Sequence, residues 1–520
     1  MFKYLVFICV LSYSSAYSQK AKVVYDIDDA NEHYNHKNYL MALPIYKELL
    51  NQDNTNTTIH YKIAECYLNT HINKAEAIKY LEFCVKDPKV KSAVWLRLGE
   101  AYRLANKIDE AIKAFETYKQ LEQKKKKETD REIEICKNAK TLIQNPVNVV
   151  FTNLGKEINS EFADYYPWIS QDESFMVFTS RRKSVMSNRV EVDGYYGSDI
   201  YKSRVQKGNW LKAENMGPNF NTNLDEQVVG LRADGSEMLI YIDHIDKYGD
   251  IYTSSKKKEG YAKYLSFPEN INKKIEHSAC ISADGKTMFF VRSDKKDEQT
   301  DIYVCKSLPN KEWSEPQKLG PEVNTAYDED FPYLSIDGKT LYFASKGHNT
   351  MGGFDLFKSS WNAKQNTFSK AVNLGYPLNT TDDDRSICLT SDNRAAYISA
   401  IRPGGQGDLD IYRVKFMDLK QKMTLYYGKV ILDDSLNRPK KINVSILATS
   451  TTNTEKFTFV PNSKTGKFVM ALPAGTYLIT ISSPGFTDLN DKISVSDLGL
   501  QLGEENKEYR LTRDNMIKKF

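Results

Sequence analysis

Phe331-Pro332-Tyr333-Leu334-Ser335-Ile336-Asp337-Gly338-Lys339-Thr340-Leu341-Tyr342-Phe343-Ala344-Ser345 is the stretch whose reading decides the fold. Two runs alternate at period two around Asp337-Gly338, so one face of each can be buried and the pair reads as a β-hairpin. Asp-Gly is the preferred pair for a two-residue turn, where both central residues take positive φ. Asn324-Thr325 precedes the unit and Asp355-Leu356-Phe357-Lys358-Ser359 follows it.

The same unit recurs through residues 149–414. Turn aspartates stand at Asp172, Asp234, Asp284, Asp337 and Asp392, 50 to 62 residues apart. An Asp-hydrophobic-aromatic triplet follows each, beginning at Asp199, Asp250, Asp301, Asp355 and Asp410. That period is the period of propeller blades. A further short strand, opened by an aromatic, leads to Met-Gly or Leu-Gly: Trp210 and Gly217, Trp313 and Gly320, and Phe368 and Gly375 are each seven residues apart. Val149-Val150-Phe151 before Leu154-Gly155 fills the same slot ahead of the first copy. This strand is expected to close the ring on the fifth copy, leaving no free edge. Five copies are visible, and a degenerate sixth stays open.

The repeated unit, Ser-x-Asp-Gly followed by an alternating strand ending in Ala/Ser-Ser and by the Asp-hydrophobic-aromatic triplet, resembles the WD40-like repeat of TolB-type propellers. Three copies depart from it: Glu173 and Asn393 replace the glycine, and Arg232 replaces the serine. Asn tolerates positive φ and Arg232 lies outside the turn centre, so Glu173 alone puts its turn type in question.

Before the propeller, over residues 20–143, the period becomes helical. Trp95, Leu98, Gly99, Tyr102, Ile108, Ala111 and Phe115 match the tetratricopeptide pattern W-x2-L-G-x2-Y…A-x3-F. Ile63, Ala64, Tyr67, Ala77 and Leu81 make a second unit, one residue longer around His71; Ala30, Tyr39, Ala42 and Tyr46 make a third. Such arrays bind extended segments on their concave face. The positions expected there are Tyr61, Glu65 and Leu68 of one repeat and Leu96, Glu100 and Arg103 of the next. They serve either a partner or packing against the neighbouring propeller. The basic run 124–127 reads as a solvated face of the following helix.

After the propeller, residues 423–513 form another all-β block. Gly428-Lys429-Val430, a paired strand from Ile442 to Ile446, Gly466-Lys467-Phe468, Leu472-Pro473-Ala474-Gly475-Thr476-Tyr477-Leu478 and Gly485-Phe486 mark it. Their order resembles the carboxypeptidase regulatory-like domain, a small β-sandwich that acts as a spacer or contact surface. Residues 514–520 are a tail.

Residues 1–18 read as a secretory signal: Lys3, an apolar core over 4–11, then Ala16-Tyr17-Ser18 before Gln19. No stretch reaches the length a membrane-spanning helix needs. Cys9 lies inside the apolar core without the small residue that precedes a lipidated cysteine. The mature chain is thus expected in the periplasm or peripheral to the outer membrane. With 72 Lys and Arg against 68 Asp and Glu, it lacks the basic excess of a nucleic-acid binder. Cys66, Cys84, Cys136, Cys280, Cys305 and Cys388 show no metal-ligand spacing. They read as small buried hydrophobes, with a Cys66–Cys84 bridge between neighbouring helices as the exception left open.

Neither G-x-S-x-G nor HExxH occurs, and His33 and His36 share a helix face without a third ligand. No catalytic, cofactor or metal residue is assigned. The acidic runs Asp328-Glu329-Asp330 and Asp382-Asp383-Asp384, with Asp164 and Asp225 in related places, either line one mouth of the ring or hold loop amides. Gly404-Gly405-Gln406-Gly407 and Gly352-Gly353 read as loops. Helical repeats, propeller and sandwich in this order resemble the PorE-type envelope proteins of Bacteroidota, associated with type IX secretion and gliding. Those proteins continue into an OmpA-like domain, and this sequence stops at Phe520. The resemblance implies a non-enzymatic scaffold whose partners are envelope proteins, including outer-membrane secretion or motility components. The alternative is a binder of glycans or small solutes, with Tyr165, Tyr166 and Trp168 stacking on the ligand in the central funnel.

Overall fold

Seven α-helices open the described part of the chain in this computed structural model: α1 (Ile27–Asn35), α2 (Tyr39–Gln52), α3 (Thr57–Leu68), α4 (Ala77–Cys84), α5 (Ala93–Leu104), α6 (Ile108–Leu121) and α7 (Lys126–Gln144). The structure describes residues 26–514 apart from 186, 187, 189, 245–248, 259, 296, 297, 311, 363, 364, 366, 418–422, 434–442, 452–454, 474 and 496–504. The expected signal segment, Cys9, Ile442, Ala474 and residues 515–520 of the tail lie outside the described residues.

Each helix packs on the next in sequence. Asp26 opens α1 with a capping box to Asp29, and Asn38 and Asn56 cap α2 and α3 through their side-chain oxygens. Ala30, Ala42, Tyr46, Ile63, Ala64, Ala77 and Leu81 are fully buried, so the apolar positions read from the repeat pattern form the helical core. Gly99 shows why that pattern needs a glycine. A Cβ there would stand 2.6 Å from the Phe115 ring, so α5 and α6 could not approach as they do. The extra residue around His71 is absorbed where a 3₁₀ turn, Lys74–Glu76, precedes α4.

Five antiparallel sheets follow among the described residues, three of four strands and two of five. Their first strands are Asp164–Ile169, Asp225–Leu231, Ile275–Ile281, Glu329–Leu334 and Ile387–Leu389. Each touches the first strand of the next sheet, and the fifth touches the first, so the sheets stand in a ring. Val149–Asn153 pairs antiparallel with Asp410–Phe416 and supplies the outer strand of the last sheet. The ends of the segment are thereby tied together and no sheet of the ring is left incomplete.

The five turns share one hydrogen-bond pattern, and it differs from the two-residue turn expected from Asp-Gly. The amides of Glu173, Gly235, Gly285, Gly338 and Asn393 donate to the carbonyls three residues earlier, at Ser170, Arg232, Ser282, Ser335 and Thr390. Those same earlier residues donate their amides to Phe175, Glu237, Thr287, Thr340 and Ala395. The loop is therefore a four-residue connection in which one residue, after the aspartate, has positive φ: 48° at Glu173, 64°, 72° and 70° at the three glycines, and 55° at Asn393. Glu173 adopts the same turn as the others. The aspartate side chain holds the loop: Asp172, Asp284, Asp337 and Asp392 each accept from the Ser or Thr hydroxyl two residues before and from the amide two residues after.

An asparagine, buried in every case but the half-buried Asn272, locks each sheet to the segment that follows. Asn221, Asn324 and Asn379 accept the amides of Ile200, Ile302 and Leu356 at 2.8 Å and donate back to the same residues' carbonyls at 2.9 to 3.0 Å. Asn272 does this for Ile251, and Asn159 does it for Ile411 across the closure of the ring.

The last block consists of two sheets. Lys467–Pro473, Met423–Asp433 and Glu505–Thr512 form one, with the last two strands parallel; Lys456–Phe459, Ser445–Ser450, Gly475–Ser482 and Leu489–Val495 form the other. The strand expected from Ile442 begins at Ser445. Val430, Met470 and Tyr509 meet Ile446, Phe457, Ile479 and Ile493 in one core. Cys66, Cys84, Cys136, Cys280, Cys305 and Cys388 are buried free thiols, packed as small hydrophobes, and the bridge left open between Cys66 and Cys84 is not formed. Burial in the helical core pushes the Cys66 thiol up to about 12, and the Cys84 thiol lies against the Thr57 carbonyl.

Candidate functional site

One mouth of the ring is organised by carboxylates at the start of each inner strand. Asp164, Glu226, Glu276, Glu329 and Asp384 are almost wholly shielded from solvent. Asp164, Glu226, Glu329 and Asp384 take the hydroxyl and the amide of Ser160, Thr222, Thr325 and Thr380. These acids hold loop amides. The second-sheet equivalent of Asp164 is Glu226 and not Asp225, whose carboxylate instead accepts from Ser198. Burial raises the Glu226 and Glu329 carboxyls to about 7 and raises Asp384 as well, with the neighbouring Asp355 adding to the effect.

Deeper in the mouth the inner strands bulge. Register shifts lie between Tyr165 and Trp168, Val228 and Gly230, Glu276 and Ala279, and Asp330 and Tyr333. In two of these bulges a large aromatic takes left-handed backbone: Tyr166 at φ 54° and Phe331 at φ 46°. Such a conformation is an outlier for a bulky side chain. Their rings meet at 4.2 Å. Beside them Asp330 accepts from Ser278 at 2.7 Å and lies 3.4 Å from His277. Burial works against charge on both members of this pair; their mutual attraction outweighs it, raising His277 and lowering Asp330. Of the three aromatics expected to stack on a ligand, Trp168 is in the core near Tyr333, whereas Tyr165 and Tyr166 line the mouth.

The helices cover this mouth. The corner between α3 and α4 brings Asn69, His71 and Lys74 over it. Lys74 reaches both oxygens of Asp382 at 2.8 and 2.6 Å, and His71 contacts Asp408. Farther along, Arg131 of α7 donates to the carbonyls of Lys346 and His348 at 2.9 and 3.1 Å and stacks on Tyr327; Asn138 donates to Thr350 at 3.0 Å. Met351 is fully buried in a cluster with Phe115, Ile133, Cys136 and Ala139. The loop containing Gly352-Gly353 is thus held against the last helices. Gly352 lies so close to the Thr380 and Asp382 carbonyls that a Cβ would stand 2.6 Å from them.

The six residues expected on the helical face fall into two groups. Glu65, Glu100 and Arg103 are tied into ion pairs within and between helices: Arg97 joins Glu65 at 2.8 Å and Glu100 at 2.7 Å, and Arg103 joins Glu132 of α7. Tyr61, Leu68 and Leu96 are half-buried, with Tyr61 and Leu68 packed on the main helical core and Leu96 on the cluster that holds Met351. Lys62 lies 3.3 Å above the Tyr34 ring and extends the same series to α1. The sequence reading missed Arg131, Asn138, Met351 and Lys74, which look like ordinary helix and loop residues; Asp382 was named there with its acidic run, and it does line this mouth.

The opposite mouth faces the last block. Gln171 donates to the Val469 carbonyl at 2.9 Å, and Lys339 pairs with Glu455 at 2.8 Å while lying over Phe457. Between the two mouths, a small cavity of about 30 Å³ lies among Trp168, Cys280, Tyr333 and Cys388. Among the described residues no group of three His, Cys, Asp or Glu is placed to hold a metal, and no helix is long and apolar enough to cross a membrane.

No protein-family model matches the chain, and no curated protein matches it by sequence. Solved structures similar to it include TolB from Acinetobacter baumannii, at 15% identity over 50% of this chain and 56% of that one, with a TM-score of 0.33. A putative TolB from Agrobacterium tumefaciens is 15% identical over 53% of this chain and 99% of that one, at a TM-score of 0.29. The beta-1,2-mannobiose phosphorylase of Listeria innocua is 9% identical over 51% and 96%, at 0.34.

Proposed function

We propose that this chain is a non-enzymatic scaffold of the cell envelope that docks other envelope proteins through its helical face. The reading takes the seven helices as tetratricopeptide-like repeats, the five sheets as five blades and the last two sheets as the regulatory-like sandwich. One observation carries it: the helices already hold an irregular segment of the chain. Arg131 and Asn138 reach backbone carbonyls of the loop around His348 and Thr350, and Met351 is buried among helical side chains. Hydrogen bonds to backbone together with one buried apolar anchor are what binding an extended segment requires. The α1–α5 part of the face, with Tyr34, Tyr61 and Leu68 half-buried, is left for a partner. Placement in the periplasm, and partners among outer-membrane secretion or motility components, belong to the same proposal.

Crosslinked affinity purification of the tagged protein from its native envelope tests it. Outer-membrane machine components are expected in the eluate, and their yield should fall when Tyr61 and Leu68 are both changed to alanine. The bait alone, free in the periplasmic fraction, would overturn the proposal.

A further inference from the structure

The mouth covered by the α3–α4 corner encloses a cavity of about 450 Å³, within the size range of small-molecule sites. Helices and ring both wall it. His71 and Lys74 come from one side, and Tyr166, Arg181, Tyr195 and Arg385 from the other.

The chemistry of the walls narrows the ligand. The cationic groups are already matched: Lys74 with Asp382, Arg181 with both oxygens of Asp193 at 2.9 and 3.3 Å, and Arg385 with Asp383 at 2.9 Å. A phosphate or a free carboxylate would have to displace a resident carboxylate, and an ammonium group would have to displace a resident cation. Hydroxyl groups need neither, because each can both donate and accept. Guanidinium groups fixed by a partner keep donors to spare: Arg181 uses three of its five N–H groups on Asp193 and the Tyr196 carbonyl. Aromatic rings complete the set. Tyr195 lies 4.8 Å under the Arg181 guanidinium, and Tyr166 is held at the cavity by a left-handed backbone. Strained backbone of this kind clusters at ligand sites.

We infer that this cavity is a binding site for a small neutral oligosaccharide, closed between the helical module and the ring. The sugar's hydroxyls meet the paired Lys74–Asp382, Arg181–Asp193 and Arg385–Asp383 groups, and a ring face lies against tyrosine. Because Lys74 and Asp382 come from different modules, occupancy stiffens the seam between them. The inference rests on this cavity alone and stands apart from the scaffold reading.

The test is calorimetric titration of the full mature chain with maltotriose, cellotriose, mannotriose and N,N′-diacetylchitobiose, with glycylglycine and inorganic phosphate as charged comparators. At least one neutral sugar is expected to bind. Tyr195→Ala should weaken that sugar about tenfold or more, and Tyr195→Phe should stay within about threefold of the parent. Asp382→Asn, which keeps the side-chain shape, should also weaken it, so a folding defect at Tyr195 would not hide the result. Melting curves without ligand establish that each variant is folded. No heat with any of the four sugars, binding of a charged comparator in their place, or sugar affinity unchanged in both Tyr195→Ala and Asp382→Asn overturns the proposal.

Discussion

Glu329 shows how far a single side chain can couple this ring to pH. It accepts from the Thr325 amide and hydroxyl and from Ser345, all at 2.7 to 2.8 Å, yet burial still lifts its carboxyl to about 7. The folded protein therefore binds this proton more tightly than the unfolded chain does. The stabilisation is fully present below the unfolded carboxyl range and is lost as pH rises through about 7. Glu226 acts in the same direction. Stability in urea should fall as pH rises from about 4.5 to about 7.5. In Glu329→Gln that fall should shrink by on the order of 2 kcal/mol. An unchanged pH slope in the variant would count against the assignment. These acids were visible in the sequence only as acidic runs. Their role as amide acceptors could be stated as one of two readings but not chosen, because burial is set by neighbouring strands far away in sequence. Glu173 teaches a similar lesson. Its left-handed backbone breaks the residue preference, and its contacts with Tyr397, at 2.8 Å, and Arg413 are made only in the closed ring.

At the scale of elements, periodicity made much of the fold legible. The Asp turns, the Asp-hydrophobic-aromatic triplets and the strand at Val149 fall where alternation and turn residues placed them, because each sheet is a local hairpin series. The turn type was less legible: Asp-Gly suits both a two-residue turn and the longer loop found here, which the second copy forms with Arg232 in place of Ser or Thr. The asparagine clamps were not legible in the sequence, where Asn324 was named only as the opening of its unit, although all five stand four residues after a Gly or Pro: Gly155, Gly217, Pro268, Gly320 and Gly375. Their function is to take one strand amide and to add a second donor to the same residue's carbonyl, which also accepts a backbone amide, as Ile302 does from Leu319. Asn324→Ala should leave the Ile302 amide buried and unpaired while the Ile302 carbonyl keeps the Leu319 amide, costing about 1–3 kcal/mol in equilibrium unfolding. A loss below about 0.5 kcal/mol would mean that the clamp is replaceable.

For the whole molecule, the sequence named three architectures in series but not how they meet. Seams form between residues hundreds of positions apart, such as Lys74 and Asp382, and no local pattern reports them. The helices close over one mouth of the ring and the last sheets lie against the other; the scaffold proposal assigns outside partners to the remaining helical face. The joint at Met351 is the one to loosen first. Met351→Asp places a carboxylate in a fully buried apolar cluster and should make the boundary near Gln144 more sensitive to limited proteolysis, while the ring itself stays folded. Unchanged cleavage would show that this contact does not hold the helices to the ring.

The central claim is that the α1–α5 face of the helices receives a partner. A photo-crosslinking residue placed at Leu68, compared with one at the exposed Gln120 of α6, tests it in the native envelope. The account predicts a discrete adduct with another envelope protein from position 68 and none from position 120. No adduct at 68, or identical adducts from both positions, would contradict it.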